Sequence, residues 1–256
     1  MISIDDNRVL YAPMFDWCRD SMIPCYFEGL LGCGIAERAE APRWAAVRAG
    51  DFLFCAGEPR NIGELPEYIK SNIGDDVLVI PEDAVLWKEA LLSEGMKFGR
   101  IIRFHTRLPE GGLDAEALLQ ITERAEGCLR LVRAGEAECE LLRDCEWENS
   151  FVGNFLNLED FLKHGFAFCL FAGDELASAA STFGYYSGGY ELQIATAPKF
   201  RRRGYAQIVG AAFLLECLRR GKHPHWDAAH QGSVRLAQRL GFLPDGEYIA
   251  LTLRQE

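Results

Sequence analysis

The stretch ATAPKFRRRGYAQIVGAAF, residues 195–213, carries the residue types best suited to chemistry. An apolar strand ends there, Pro198 turns the chain, three arginines follow and Gly204 opens a helix. That order predicts an anion cradle. The first N–H groups of a helix lack intrahelical acceptors, and the macrodipole adds about half a positive charge at the same end. Gly204 admits close approach of the main chain, Ala206 adds no bulk, and Arg201, Arg202 and Arg203 supply forked donors for phosphate oxygens. The lysine and Ser/Thr of a Walker A loop are missing, so triphosphate–magnesium chemistry is not implied. His223, His225, Asp227 and His230 crowd a second short stretch, and on a strand the first three would share one face, as metal ligands require. Pro224 predicts a turn at His223, which breaks that set, so no metal is expected. Gly29, Gly32 and Gly34 lack the third glycine position and the following helix of a dinucleotide fingerprint.

Such a cradle needs a folded body to hold it. The chain has 256 residues and is 49% apolar, enough for one large domain or two modest ones with a packed core. Its formal net charge is −11, which argues against a surface built throughout for nucleic acid. The charge is uneven. Residues 199–239 hold nine basic side chains against two acidic ones, a local +7 on a remainder of −18. That concentration points to a specific anionic ligand. The longest apolar or glycine run, 165–173, has nine residues, and the next, such as 208–215, eight; both are too short to span a bilayer. The opening MISIDDNRVLY places two acids where a secretory signal carries positive charge, so a cytoplasmic location is expected. Nine cysteines without a C-x-x-C pair read as reduced thiols, several of them inside apolar runs.

The elements that position the cradle follow from periodicity and punctuation. Upstream, residues 44–59 read as two short strands broken at Gly50-Asp51, 75–83 as a strand stopping at Pro81, 84–94 as a helix and 101–107 as a half-buried strand. RLPEGGLDAE at 107–116 is the best boundary. Downstream, 128–132 is a strand, 166–171 and 175–186 a hairpin, and 190–196 the next strand after Gly188-Gly189. A helix is predicted from Gly204 to Arg220, with Gly221 and Pro224 as stop signals. A short strand at 225–229, a helix at 233–240 closed by Gly241, and a strand at 247–253 complete the chain.

RRRGYA at 201–206 resembles the Gln/Arg-x-x-Gly-x-Gly/Ala signature of GNAT N-acyltransferases, whose loop binds the pyrophosphate of acetyl-CoA. EGLLG at 28–32, AGDFLFCAGEP at 49–59, the 191–196 strand and WDAAHQGSVRLAQRLGF at 226–242 resemble the two-lobed subfamily typified by zwittermicin-resistance acetyltransferases. The resemblance implies an α+β fold with α/β layering: a GNAT domain at 113–256 with a mixed, mostly antiparallel central sheet, and an N-terminal α/β lobe at 1–112. It implies acetyl transfer from acetyl-CoA, the cosubstrate, to a primary amine of a small molecule, antibiotic-like or polyamine-like, by direct attack in a ternary complex. No metal, nucleic acid or membrane partner is implied, and the oligomeric state stays open, a homodimer included.

Residue by residue, the resemblance makes Glu191 the base. Backbone groups of Ile194, Ala195 and Thr196 would hold the pantetheine arm in a split between the 190–196 and 225–229 strands. Arg201, Arg202, Arg203, Gly204, Tyr205 and Ala206 would hold the diphosphate. His230 stands where many members carry an asparagine that bonds the CoA arm, and Ser233 is either a cofactor contact or the cap of the last helix. Ala237 stands where the family's acid tyrosine belongs, leaving Tyr185, Tyr186, Tyr205 and solvent as alternatives. That departure also supports a rival reading, a catalytically inactive acyl-CoA sensor. A basic RNA-binding surface is a second rival.

Overall fold

The computed structural model describes residues 1–73 and 77–253, and in it the chain forms two compact units. One comprises Met1–Arg103 with Glu247–Glu256, the other Phe104–Gly246. The expected division at 112/113 therefore differs from the observed one. The chain enters the second unit inside a strand, ahead of the Pro109–Gly112 turn, and its last strand returns to the first unit.

In the first unit, β1 (Ile2–Ser3), α1 (Met22–Phe27), β2 (Cys33–Ala36), β3 (Trp44–Ala49) and β4 (Phe52–Gly57) lead to α2 (Leu65–Tyr68), β5 (Leu78–Pro81) and α3 (Ala84–Ser93). The predicted break at Gly50 is the hairpin between β3 and β4, with Gly50 at φ +59°. Asp75 and Asp76, the first residues of the predicted 75–83 strand, lie outside the described residues. β1 to β4 pair antiparallel in sequence order and β4 pairs parallel to β5. Trp44 and Trp87 meet edge to face at 6.1 Å in the core, and each indole N–H donates to a backbone carbonyl, of Arg60 and Gly57 respectively. Buried indoles need such partners. Asp83 caps α3 by accepting from the Val85 and Leu86 N–H groups.

β6 (Phe98–Arg107) has residues in both units. The second unit continues with α4 (Ala115–Thr122), β7 (Leu129–Arg133), α5 (Glu136–Arg143), α6 (Leu158–His164), β8 (Ala167–Ala172), β9 (Glu175–Tyr186) and β10 (Gly189–Thr196). It closes with α7 (Tyr205–Arg219), β11 (His223–His225), β12 (Asp227–Ala228), α8 (Gln231–Arg239) and β13 (Leu243–Leu253), which runs on into the first unit and pairs with β5. A five-stranded sheet runs β11-β10-β9-β8-β7, antiparallel except for the parallel β10–β11 pair. β8, and β9 after the exposed Glu175 that starts it, are apolar, aromatic or small because both faces are covered. α7 packs on one face through Phe213, which stacks on Phe166 at 4.6 Å. Phe151, Phe161, Cys139 and Leu142 cover the other. A side chain such as Phe213, fully removed from water, contributes about 2–3 kcal/mol.

Two predicted elements differ. The strand expected at 225–229 is two strands, β11 and β12, separated at Trp226. His223, expected in a turn, opens β11, because Pro224 faces Tyr190 of β10 at a position that leaves the ladder intact.

Candidate active site

β10 has neighbours on both sides only for its first three residues. Gly189, Tyr190 and Glu191 register with His223, Pro224 and His225 of β11. Beyond them β12 turns to β6, registering Asp227 with His105 and Ala228 with Phe104. Residues 192–196 therefore keep β9 on one side and no strand on the other among the described residues. The split is the expected one, and its apex is Glu191.

A bulge sits at the same place. Glu191 registers with Gly184 but Leu192 with Thr182, so Phe183 is the extra residue of β9. Asn154 donates from Nδ2 to the Phe183 carbonyl at 3.0 Å and satisfies the group the bulge removes from the ladder. Nothing in the spacing of Asn154 signals this, since the pairing spans 29 residues.

Strand alternation decides which main-chain groups line the open edge. The Ala197 N–H donates to the Ala177 carbonyl, so alternate residues, including Ala195, point their backbone groups at β9. Those of Ile194 and Thr196 point outward. Ala195 belongs to the sheet ladder, which differs from the expectation that grouped it with its neighbours. Arg201 Nε donates to the Thr196 carbonyl at 3.2 Å, closing the outer end of the edge. The Ser178 and Thr196 hydroxyls meet at 2.8 Å.

After the edge comes the predicted helix start. Arg202 lies at φ +66° and Gly204 at φ +84°, two left-handed residues that turn the chain into α7. The Gln207 N–H donates to the Gly204 carbonyl, while those of Tyr205 and Ala206 have no acceptor within the helix. Arg201, Arg202 and Arg203 are exposed around them, Arg203 lying over the Phe200 ring at 5.5 Å. Gly210 brings α7 against β10. A Cβ there would stand 2.8 Å from Leu240 Cδ1 and 3.2 Å from Ile194 Cδ1.

The local excess of positive charge is partly internal. Arg219 and Arg220 both donate to the Glu216 carboxylate, at 2.6–2.8 Å, and Arg220 also reaches the Tyr190 hydroxyl. Hydrogen bonding to Arg219 first, then to Arg220, holds the Glu216 carboxyl down at about 2. Lys199 pairs with Glu175 and Lys222 donates to the Ser187 carbonyl. The reading of the whole 199–239 span as cation for a ligand is therefore narrowed: Lys199, Arg219 and Arg220 already have carboxylate partners.

Glu191 is 5% exposed, and its Oε1 accepts the Asp227 N–H at 3.0 Å. The carboxylate thus bridges the two diverging strands. His230 is the cap of α8, its Nδ1 accepting the Ser233 N–H at 3.1 Å, which leaves the ring N–H on Nε2. The alternative that made Ser233 the cap is corrected: it is the third residue of α8, and its Oγ accepts the Trp226 indole N–H at 2.9 Å. Ala237 is fully buried. Of the three alternative tyrosines, Tyr185 stacks on Phe155 and His164, and Tyr205 lies in the first turn of α7 beside Phe200. Tyr186 Oη lies 2.8 Å from His225 Nε2. Spacing gives no sign of that last contact, which joins residues 39 apart in the chain.

This architecture recurs in known proteins. A GCN5-related N-acetyltransferase-like protein from Streptococcus suis 89/1591 superposes with a TM-score of 0.87 over 97% of this chain and 99% of that one, at 24% identity. A GCN5-related N-acetyltransferase from Kribbella flavida matches with a TM-score of 0.56 at 15% identity, over 86% and 90% of the two chains. In sequence, an uncharacterized N-acetyltransferase, YdfB, of Bacillus subtilis (strain 168) is 29% identical over 94 residues, a stretch covering 36% of each chain. The GNAT acetyltransferase profile matches residues 12–251, nearly the whole chain: the chain belongs to the GNAT acetyltransferase family and is an acyltransferase.

Proposed function

We propose that the chain transfers an acetyl group from acetyl-CoA to a primary amine of a small molecule, the amine attacking the thioester directly. The observation that carries this reading is the continuity of an open strand edge with an uncapped helix start. The edge offers the outward groups of Ile194 and the N–H of Thr196, and the helix offers the N–H groups of Tyr205 and Ala206 beside Arg201, Arg202 and Arg203. An extended amide-bearing arm ending in a diphosphate fits that sequence of donors. The arm would lie along the edge as an added strand, and its diphosphate would meet the helix start.

The residues divide the work as follows. An outward N–H of β10 steadies the oxygen of the thioester as its carbon becomes tetrahedral. Glu191, at the apex, takes the proton of the attacking amine, directly or through water. The C–N bond forms, the C–S bond breaks, and the thiolate takes a proton from solvent, since Ala237 offers none. The rest of the barrier reduction comes from holding both reactants together. His230 Nε2–H and the hydroxyl hydrogen of Ser233 are donors that remain for the CoA arm after the bonds each makes within α8 and to Trp226.

Titration calorimetry with acetyl-CoA, followed by assay of thiol release with spermidine, glucosamine and lysine as acceptors, tests the proposal. Micromolar binding with amine-dependent release of CoA is expected. Absence of heat with the folded protein, or binding without consumption across the amines, refutes it.

A further inference from the structure

The carboxylate placed at the apex has a difficulty of its own. At 5% exposure, with one oxygen held by the Asp227 N–H, Glu191 is shielded from the bulk water that would reset it after each proton it accepts. Three other groups able to pass a proton share its face of the sheet. His225 is its direct partner across the parallel register. Gly189 and Glu191 lie on the same side of β10, and the partners of Gly189 are His223 on β11 and Tyr186 on β9. Tyr186 and His225 are joined by a 2.8 Å hydrogen bond, and the His223 and His225 rings lie 4.4 Å apart, His223 being exposed.

We propose that His225 and Tyr186 form a proton relay that empties Glu191 toward solvent between turnovers. The inference rests on the reading of Glu191 as base. One proton moves in all. It leaves the amine nitrogen for Glu191, then passes to one ring nitrogen of His225 while the proton on Nε2 moves to the Tyr186 oxygen. The phenol releases its own proton to water, and ring and hydroxyl rotate back. No electrons are exchanged and no other reactant is consumed.

The electrostatics of the cluster fit a carrier rather than a store. Burial first, and His223 beside it second, push His225 down to about 4. The ring is therefore neutral at working pH and holds a proton only in passing. The titratable groups facing it are Glu191 on β10, Tyr186 on β9 and His223 on its own strand, with Asp227 beyond the break at Trp226.

The test is rescue by a diffusible relay. His225→Ala, His225→Gln and Tyr186→Phe are assayed at saturating acetyl-CoA with whichever amine the wild-type chain acetylates fastest, at rising imidazole concentration. Turnover of the His225 variants is expected to fall roughly a hundredfold, with that of Tyr186→Phe falling less. Imidazole should restore it saturably, while leaving the wild type and the acetyl-CoA Kd unmoved. Wild-type turnover in His225→Gln overturns the relay, and so does a loss that imidazole fails to restore in either His225 variant. A Glu191→Gln chain that retains full turnover overturns the base assignment instead, so the two failures are told apart.

Discussion

Replacement of Gly204 separates the backbone geometry of the helix start from its charge. Gly204 sits at φ +84°, ψ +3°, and a Cβ there would meet only Gln207 Oε1, at 3.9 Å. That is ordinary contact, so collision with neighbours adds nothing and the cost is the backbone's own. A left-handed residue with a Cβ costs about 1–2 kcal/mol. Reduced freedom of the unfolded chain offsets about 0.5 kcal/mol of this. Gly204→Ala should therefore lower the unfolding free energy by about 1 kcal/mol. Gly204→Asn should lose less, because asparagine bonds locally in that region, and β-branched Gly204→Val more. Urea denaturation reads these differences. Calorimetry with acetyl-CoA reads whether the Tyr205 and Ala206 N–H groups keep their aim, since no arginine has been altered. The Kd should rise severalfold in Gly204→Val and stay near wild type in Gly204→Asn. A valine variant with wild-type stability and wild-type affinity would refute the argument that this turn holds the anion site.

Three further outcomes are expected. Glu191→Gln keeps an oxygen for the Asp227 N–H, so stability and acetyl-CoA affinity should be retained while turnover drops at least about a hundredfold, read by single-turnover release of CoA. Glu216 has its folded pKa held below the ordinary 4.5, at about 2. Its stabilisation is therefore complete above 4.5 and lost as pH falls toward 2, and Glu216→Gln should flatten that part of the stability–pH curve while costing about 2 kcal/mol at neutral pH. Gly210→Leu should destabilise by about 3 kcal/mol in thermal or urea unfolding, because its Cβ alone would press on Leu240 and Ile194.

The local vocabulary of the site was legible in advance. Pro198, the arginines, Gly204 and the apolar spacing to Cys217 announce a strand, a turn and a helix start, and α7 begins where Gly204 placed it. Glu216 stands three and four residues from its two arginines, the spacing of one helix face, and the charge count left that pairing unread. Other features depend on residues far apart in the chain. The boundary between units follows β13, whose return to β5 no linker composition records. The bulge needs Asn154, the cap of α8 is His230 rather than Ser233, and Ser233 answers to an indole.

What the residues by themselves determined is the set of elements and the cation-rich helix start, because propensity, punctuation and period act over a few neighbours. What only the tertiary structure decided is the register: which edge of β10 stays open, which of Ile194, Ala195 and Thr196 turn outward, and that Glu191, His225 and Tyr186 share a face. Register is set by the summed pairing of distant strands, and a shift of one residue would carry every one of those groups to the opposite side.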